Sequence, residues 1–211
     1  MSILLGTRTI PEAQAGFVAL EALRKPWVHR FMVRGGRTIP VVATALSLAD
    51  RLGSLKARWG IGRMGYSVLP GLYAVGSPEG ESPVFVSANY KMSFDALRSS
   101  LQGIDGWILV LDTKGINVWC AAGKGSFGTA ELVSRIAKTK LCSMVSHRIL
   151  ILPQLGAPGV AAPEVAKASG FKVQWGPVRA ADIKAWLAAG RRKDEAMREV
   201  SFTLRDRLAV A

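Results

Sequence analysis

Hydrophobic residues follow two alternating patterns along most of the chain. Four short runs rich in strand-forming residues lie at 84–87, 107–112, 148–152 and 172–175. Four stretches in which hydrophobic residues recur at helical spacing follow these runs in turn, at 93–101, 129–138, 161–168 and 180–189. This alternation predicts a Rossmann-like α/β fold, in which a doubly wound, mainly parallel sheet is covered by helices on both faces.

Local signals indicate where several elements begin and end. Ser93 is a suitable N-cap for the first of these helices, and Gly190 is placed to end the last one. Upstream of the alternating region, residues 41–52 are predicted to form a further helix that ends at Gly53. The boundaries of the predicted elements therefore rest on caps as well as on periodicity.

The composition and periodicity of the sequence change near residues 70 and 190, which predicts that the chain consists of three parts. Residues 1–69 are rich in Lys and Arg and are expected to form a basic extension packed on the main domain at 70–190. Residues 191–211 are expected to form a basic helix, because hydrophobic residues recur in them at helical spacing. These residues are Met197, Val200, Leu204 and Leu208.

The composition favours a folded protein with an anionic partner. Hydrophobic residues make up 49% of the 211 residues, and 28 Lys and Arg against 15 Asp and Glu give a net charge of +13. Two cysteines, Cys120 and Cys142, exclude a disulfide framework and an iron–sulfur cluster held by this chain alone. No hydrophobic run reaches the roughly 20 residues that span a bilayer, so the chain as given is expected to be soluble and cytoplasmic.

Ligands of such folds bind at the carboxyl ends of the strands, which places the candidate site in four loops. These loops lie at 87–91, 113–127, 153–159 and 176–179. Residues 123–128 match G-x-G-x-x-G, the fingerprint of dinucleotide-binding folds, and they precede a predicted helix. The preceding strand ends about ten residues too early for the tight turn that the motif needs, and no acidic residue follows at the ribose-binding distance. We therefore do not expect a dinucleotide site.

Cys120 lies in the long loop after the most hydrophobic strand. Asn117 is placed to cap a short helix in which Cys120 would be the third residue, near the positive end of the helix dipole. Together with Lys124, this position favours the thiolate, the form that binds a soft metal or attacks an electrophile. Burial in the core is the alternative for a lone cysteine, and for Cys142 a small buried residue at a helix end is the expected role.

The octet at 117–124, Asn-Val-Trp-Cys-Ala-Ala-Gly-Lys, resembles the cap-helix motif of the mercury-methylating corrinoid protein family. Further segments resemble the same family, and they lie at 70–76, 88–91, 111–116, 152–157 and 176–180. More distantly, the domain is similar to the corrinoid domain in the large subunit of the corrinoid iron–sulfur protein. The resemblance implies a corrinoid-binding α/β domain.

The resemblance also implies which residues hold the cofactor, a cobalamin-type corrinoid in its base-off form. Cys120 would be the lower axial ligand of the cobalt and the catalytic residue, and the nucleotide tail would run near Gln154, Gly156 and Gly159. The remaining implied contacts lie in the same four loops, at Ser87, Asn89, Asn117, Val118, Trp119, Ala121, Ala122, Gly123, Lys124, Leu155, Pro177 and Val178.

The implied reaction moves a methyl group from cobalt(III) to inorganic Hg(II). A thiolate donates electron density to cobalt and favours departure of the methyl group as a carbanion equivalent, which a soft electrophile such as Hg(II) accepts. The family implies a small ferredoxin partner with two four-iron clusters and a methyl donor of open identity, with a methylated folate as one candidate. It also implies a C-terminal membrane domain, which would hold the full-length protein at the cytoplasmic face of the inner membrane.

Two other functions are compatible with the sequence. A methyl carrier of one-carbon metabolism, like the corrinoid iron–sulfur protein, is the nearest alternative, although the cluster cysteines are missing and Cys120 is present. The charge of +13 also suits a nucleic-acid-binding α/β module. No base-stacking aromatic platform accompanies that charge, so we expect no nucleic-acid partner.

Overall fold

A computed structural model describes residues 21–199 of the chain, apart from the side chain of Met64. The strands are β1 (Val28–Arg34), β2 (Arg37–Val42), β3 (Gly71–Val75), β4 (Val84–Ala88), β5 (Gly106–Leu111), β6 (Ile149–Leu152) and β7 (Lys172–Trp175). The α-helices are α1 (Leu48–Arg58), α2 (Lys91–Ser100), α3 (Val118–Gly123), α4 (Thr129–Thr139), α5 (Ala162–Ser169) and α6 (Ile183–Ala188). Short 3-10 turns occupy Arg63–Gly65, Leu141–Ser143, Gln154–Gly159 and Ala180–Asp182.

The seven strands form one sheet in the order β1-β2-β3-β5-β4-β6-β7. Strands β5, β4, β6 and β7 run parallel to one another, and β2 is parallel to β3. The β1–β2 and β3–β5 pairs are antiparallel. The predicted doubly wound, mainly parallel α/β fold is therefore confirmed, and β1 and β2 add two strands of the basic N-terminal part to the same sheet.

Each face of the sheet is covered by its own hydrophobic core. On one face, Leu109 and Leu111 of β5 pack with Ala121 of α3, Leu132 of α4 and Val165 of α5. On the other, residues of β4 and β5 pack with α2 and α6, and this core includes Phe85, Val110, Phe94, Leu97 and Trp186. Because both faces are covered, the central strands are buried along their whole length, as their continuous hydrophobic runs predict.

The predicted helix at 41–52 is wrong. Residues 41 and 42 end strand β2, where Val41 and Val42 pair with β3 and are almost fully buried. The helix starts only at Leu48, because Ser47 accepts a hydrogen bond from the backbone of Asp50 and the Asp50 carboxylate accepts one from the backbone of Ser47. This reciprocal capping box fixes the helix start.

Ser93 is not an N-cap. Helix α2 begins at Lys91, and its N-cap Tyr90 makes no side-chain capping bond. The earlier start has two supports: the Lys91 backbone N–H donates to Tyr66 at 2.9 Å, and the Lys91 ammonium is buried between carboxylates. The tertiary contacts of Lys91 therefore outweigh the local capping signal.

The basic C-terminal helix is not found in the part that the structure describes. Residues 191–199 form turns, bends and irregular segments, and Met197 packs in the core that includes Trp186 of α6. Val200, Leu204 and Leu208, which complete the predicted pattern, lie outside the described residues. Within residues 21–199, no helix is long and hydrophobic enough to cross a membrane.

Cys142 is exposed, in contrast to the prediction that it is buried. It lies in the 3-10 turn Leu141–Ser143 that leads into β6, and in that turn the buried position is taken by Leu141. This turn is at the amino end of β6, so Cys142 and the candidate site lie at opposite edges of the sheet.

Candidate functional site

The parallel strands β4, β5, β6 and β7 end at the same edge of the sheet, and the loops after them meet there. The loop after β5, residues 112–117, leads into α3, which carries Cys120. The loop after β6 forms the 3-10 turn Gln154–Gly159, against which α3 packs. The fold therefore brings the predicted loops together at one edge.

Asn89 holds the start of the loop after β5. Its side-chain oxygen accepts hydrogen bonds from the backbone N–H groups of Thr113 and Gly115, at 3.0 and 2.9 Å, and lies 2.8 Å from the Thr113 hydroxyl. Asn89 is buried, and Gly115 has a positive φ of 71° that suits the tight turn. Asn89 therefore positions the loop and does not line the cavity described below.

Asn117 caps α3, as the sequence predicts. Its side-chain oxygen accepts a hydrogen bond of 2.9 Å from the backbone N–H of Cys120, which is therefore the third residue of the helix. Ala121 and Ala122 bury the inner side of this short helix, whereas Cys120 is exposed. The alternative that Cys120 is a buried packing residue is wrong.

The loop after β6 packs against α3 and the segment that follows this helix, and the glycines of the loop are needed for that contact. A Cβ atom on Gly156 would lie 2.5 Å from the Phe127 ring, and one on Gly159 would collide with the backbone of Phe127 and Ala122. Packing within the protein accounts for both glycines. Gly123 and Lys124, at the end of α3, are exposed.

A cavity of about 340 Å³ opens beside α3, between the ends of β4, β6 and β7. Seven of the predicted contact residues line it: Ser87, Asn117, Val118, Trp119, Leu155, Pro177 and Val178. The other predicted residues, Asn89, Gln154, Gly156, Gly159 and 120–124, do not line it. Trp119 lines the cavity and is 58% exposed, so it forms part of the cavity wall and of the open surface next to Cys120.

Sequence reasoning missed the hydrophobic wall of this cavity. Phe85 of β4, Leu97 of α2, Ile151 of β6 and Ile183 of α6 all line it. The only available signal was the hydrophobic periodicity of these elements, which predicts burial in the core and does not distinguish a cavity wall from ordinary packing.

A second feature that the sequence did not reveal is a strap formed by residues 193–197. The Lys193 ammonium donates to the Gln154 side chain at 2.6 Å and to the Gly176 carbonyl at 3.2 Å, and the Val178 backbone N–H donates to Met197 at 3.0 Å. Burial lowers the pKa of Lys193 below its usual value. Gln154 is thus occupied by the strap, which holds the loops after β6 and β7 together.

The chemistry of the edge centres on one thiol. Among residues 21–199 there is no group of three or more His, Cys, Asp and Glu side chains that could hold a metal ion on its own. An exposed cysteine on a capped helix can instead provide a single soft ligand to a metal that arrives with its own ligands. Fold and site together define a Rossmann-like α/β domain with a cavity and an exposed cysteine at the carboxyl edge of its sheet.

Comparison with known proteins identifies the family. Residues 56–187 match the family model described as CO dehydrogenase/acetyl-CoA synthase delta subunit, and the chain belongs to this family. It is the family of the corrinoid iron–sulfur protein large subunit, so the more distant of the two resemblances is confirmed. The matches do not show mercury methylation.

Similar curated proteins are named as gamma subunits of the acetyl-CoA decarbonylase/synthase complex. The chain is 37% identical to the subunit of Archaeoglobus fulgidus over 122 residues, and 31% identical to that of Methanopyrus kandleri over 122 residues. It is 32% identical to the gamma 1 subunit of Methanosarcina thermophila over 125 residues. Each match covers 57% of this chain and 26% of the relative, so the chain spans about a quarter of the length of these relatives.

Proposed function

We propose that this domain binds a corrinoid at the carboxyl edge of its sheet and takes part in methyl transfer, and that the Cys120 thiolate would hold the cobalt. The carrying observation is the exposure of Cys120 on α3, in a family of corrinoid proteins, beside a cavity at the ligand-binding edge. A cysteine with only a packing role would be buried like its neighbours Ala121 and Ala122.

The described residues fit such a cofactor. Cys120 offers a soft donor at the surface, and the cavity of about 340 Å³ lies within the range of ligand pockets, with mainly hydrophobic walls and few polar groups. The nucleotide tail of a base-off corrinoid would occupy this cavity, next to Ser87, Leu155 and Val178. When bound, the corrinoid supplies the cobalt that carries the methyl group.

The protein's own part would be to fix one ligand and to offer an apolar surface beside it. Asn117 holds the backbone of Cys120, and Asn89 holds the loop that leads to α3, so the thiol is presented from a rigid support. The exposed face of Trp119 offers an apolar surface for the macrocycle next to that thiol.

As the methyl acceptor we propose inorganic Hg(II). The octet at 117–124 and the electron-donating character of a thiolate both support this acceptor, because Hg(II) must take the methyl group with its electron pair. This transfer would require a reducing partner for a bound corrinoid, and the expected ferredoxin with two four-iron clusters would suit that role. That partner, the methyl donor, the membrane domain and the cytoplasmic location stay predictions.

The second candidate is a methyl carrier that serves an acetyl-CoA-forming complex. The family and the names of the relatives favour this function over mercury methylation. A methyl carrier would pass its methyl group on as a cation equivalent, and for that transfer an electron-donating thiolate such as Cys120 would be an unfavourable ligand. The role of Cys120 therefore separates the two candidates.

The test uses the full chain reconstituted with cobalamin, its Cys120→Ala and Cys120→His variants, and Cys142→Ala as a control with an exposed cysteine at the opposite edge. We expect Cys120→Ala to take up corrinoid, to lose the thiolate-dependent absorption bands and to methylate Hg(II) only at background. Cys120→His should methylate Hg(II) poorly, because imidazole donates less electron density, and Cys142→Ala should match the parent.

Each other outcome contradicts a defined part of the proposal. Equilibrium dialysis that shows no corrinoid uptake by the folded parent would overturn corrinoid binding altogether. An unchanged spectrum and parental rate in Cys120→Ala would overturn the thiolate ligand. Uptake with a Cys120-dependent spectrum, but transfer only to acceptors other than Hg(II), would favour the methyl carrier.

A further inference from the structure

Helix α1 presents its hydrophobic side to solvent. Leu48, Leu52, Leu55 and Trp59, its C-cap, are spaced by four, three and four residues and so share one side of the helix. Their exposed fractions are 79%, 58%, 43% and 73%. We call this row the leucine stripe; the nearby Ile61 and Leu69 are exposed as well.

The opposite side of α1 packs on the protein through polar and small residues. The buried Asp50 carboxylate lies 2.8 Å from the Lys91 ammonium and 2.9 Å from the Arg98 guanidinium, both on α2. Ala57 is buried, and a Cβ atom on Gly53 would lie 2.7 Å from the Tyr66 hydroxyl. Rotating the helix to bury the leucines would leave Lys91 and Arg98 without Asp50, so the leucine stripe is held outward.

The charges around the leucine stripe all have one sign. In residues 44–69 the cations are Arg51, Lys56, Arg58 and Arg63, all exposed, and the one acid is the buried Asp50. At 100° per residue, Arg51 and Arg58 border one side of the stripe and Lys56 borders the other. An apolar row between two cationic margins is the pattern of a helix that lies in a lipid interface.

We propose that α1 docks the domain on an anionic lipid surface, with the leucine stripe in the headgroup–acyl boundary and the flanking cations on the lipid phosphates. A planar anionic surface satisfies both margins at once, because among residues 44–69 no exposed acidic side chain accompanies these cations. A second copy of the same face would bring these cations against one another, which disfavours self-association.

The test is cosedimentation of the full chain with vesicles of phosphatidylcholine alone and of phosphatidylcholine mixed with phosphatidylglycerol. We expect binding to the anionic vesicles only, and release as salt is raised. A Leu52→Gln, Trp59→Gln double variant and an Arg51→Gln, Arg58→Gln double variant should each partition about tenfold more weakly or worse.

Matched controls alter exposed residues elsewhere: Val33→Thr, which is 75% exposed on β1, and a Lys138→Gln, Lys184→Gln double variant. Both should bind like the parent, and circular dichroism should show that all variants are folded. An Arg205→Gln, Arg207→Gln variant tests the C-terminal cations.

Three results would overturn the proposal. Equal binding to neutral and anionic vesicles would remove the electrostatic argument. Loss of binding in the Arg205 and Arg207 variant, but not in the two α1 variants, would assign binding to the C-terminal end. A concentration-dependent dimer in sedimentation velocity that the Leu52 and Trp59 variant abolishes would make the leucine stripe a contact between copies.

Discussion

At the scale of single residues, the amide of Asn89 acts on the candidate site from a distance. Its side-chain oxygen accepts hydrogen bonds from the backbone N–H groups of Thr113 and Gly115. Those bonds fix the loop that leads to α3, the helix of Cys120. The sequence predicted a functional role for Asn89 but assigned it to cofactor contact. A motif alone does not reveal whether a side chain faces the ligand or the loop behind it.

Substitution of Asn89 tests this positioning role. Asn89→Ala should lower the free energy of unfolding by about 1–3 kcal/mol, because it leaves buried backbone donors without a partner. It should also weaken corrinoid uptake, since the loop to α3 is released. Asn89→Asp keeps an accepting oxygen and should retain most of the uptake. Urea denaturation and equilibrium dialysis measure the two effects; equal loss in both variants would contradict a role that rests on the acceptor.

The buried carboxylate of Asp50 makes stability depend on pH. Burial by itself raises the pKa of Asp50, but the hydrogen bonds from Lys91 and Ser47 outweigh it, so the pKa lies well below the usual value. An acid whose pKa is lowered by folding stabilises the protein above its unfolded pKa, and this contribution is lost as the pH falls.

We therefore expect the free energy of unfolding to decline as the pH drops below about 4. Asp50→Asn should be less stable than the parent at pH 7 and should show a flatter decline on acidification. Urea denaturation across that pH range is the measurement. As a control, Glu164→Gln alters an exposed carboxylate and should keep the parental slope. The same slope in Asp50→Asn as in the parent would rule out this ion-pair contribution.

At the scale of elements, the hydrophobic pattern predicted the positions of those strands and helices in which buried residues recur with the period of the element itself. Strand β7 falls at 172–175 as predicted, and helix α4 differs from its predicted range by one residue. The prediction of a helix at 41–52 was wrong because Val41 and Val42 pair with β3, a contact between distant parts of the chain. Local periodicity carries no information about such a partner.

The packing of α3 on the loop after β6 gives an element-scale prediction. Gly159→Ala should lower the free energy of unfolding by about 1–3 kcal/mol, because the new methyl group meets the backbone of Phe127 and Ala122, which cannot rotate away. Gly123→Ala is the matched control, since its Cβ would meet nothing within 4 Å. Thermal or urea denaturation compares them, and equal stability of the two variants would contradict this account of the contact.

At the scale of the whole molecule, the candidate site was predictable where it depends on one local motif. The cap by Asn117 and the position of Cys120 in α3 follow from a few adjacent residues, and both are as predicted. The cavity wall joins Phe85, Leu97 and Ile183 from three separate elements. Such a wall exists only after the elements have packed, so no sequence pattern marks it.

The net charge of +13 is likewise a property of the whole chain that the structure divides unequally. Arg98 and Lys91 are buried in ion pairs, whereas the cations beside the leucine stripe of α1 are open to solvent. Under the lipid-surface proposal, the anionic partner that the composition predicts binds at α1. The vesicle experiment tests this assignment.

The strap at 193–197 connects the loops at the mouth of the cavity to the segment that follows α6. Lys193 holds Gln154, and Met197 holds the backbone of Val178, so the segment that leaves the domain also closes the loops around the candidate ligand. Tension on the chain beyond residue 197 would act first on these two contacts. Any load on that end, whether from an attached domain or from a surface, would thus reach the loops of the candidate site before it reached the sheet.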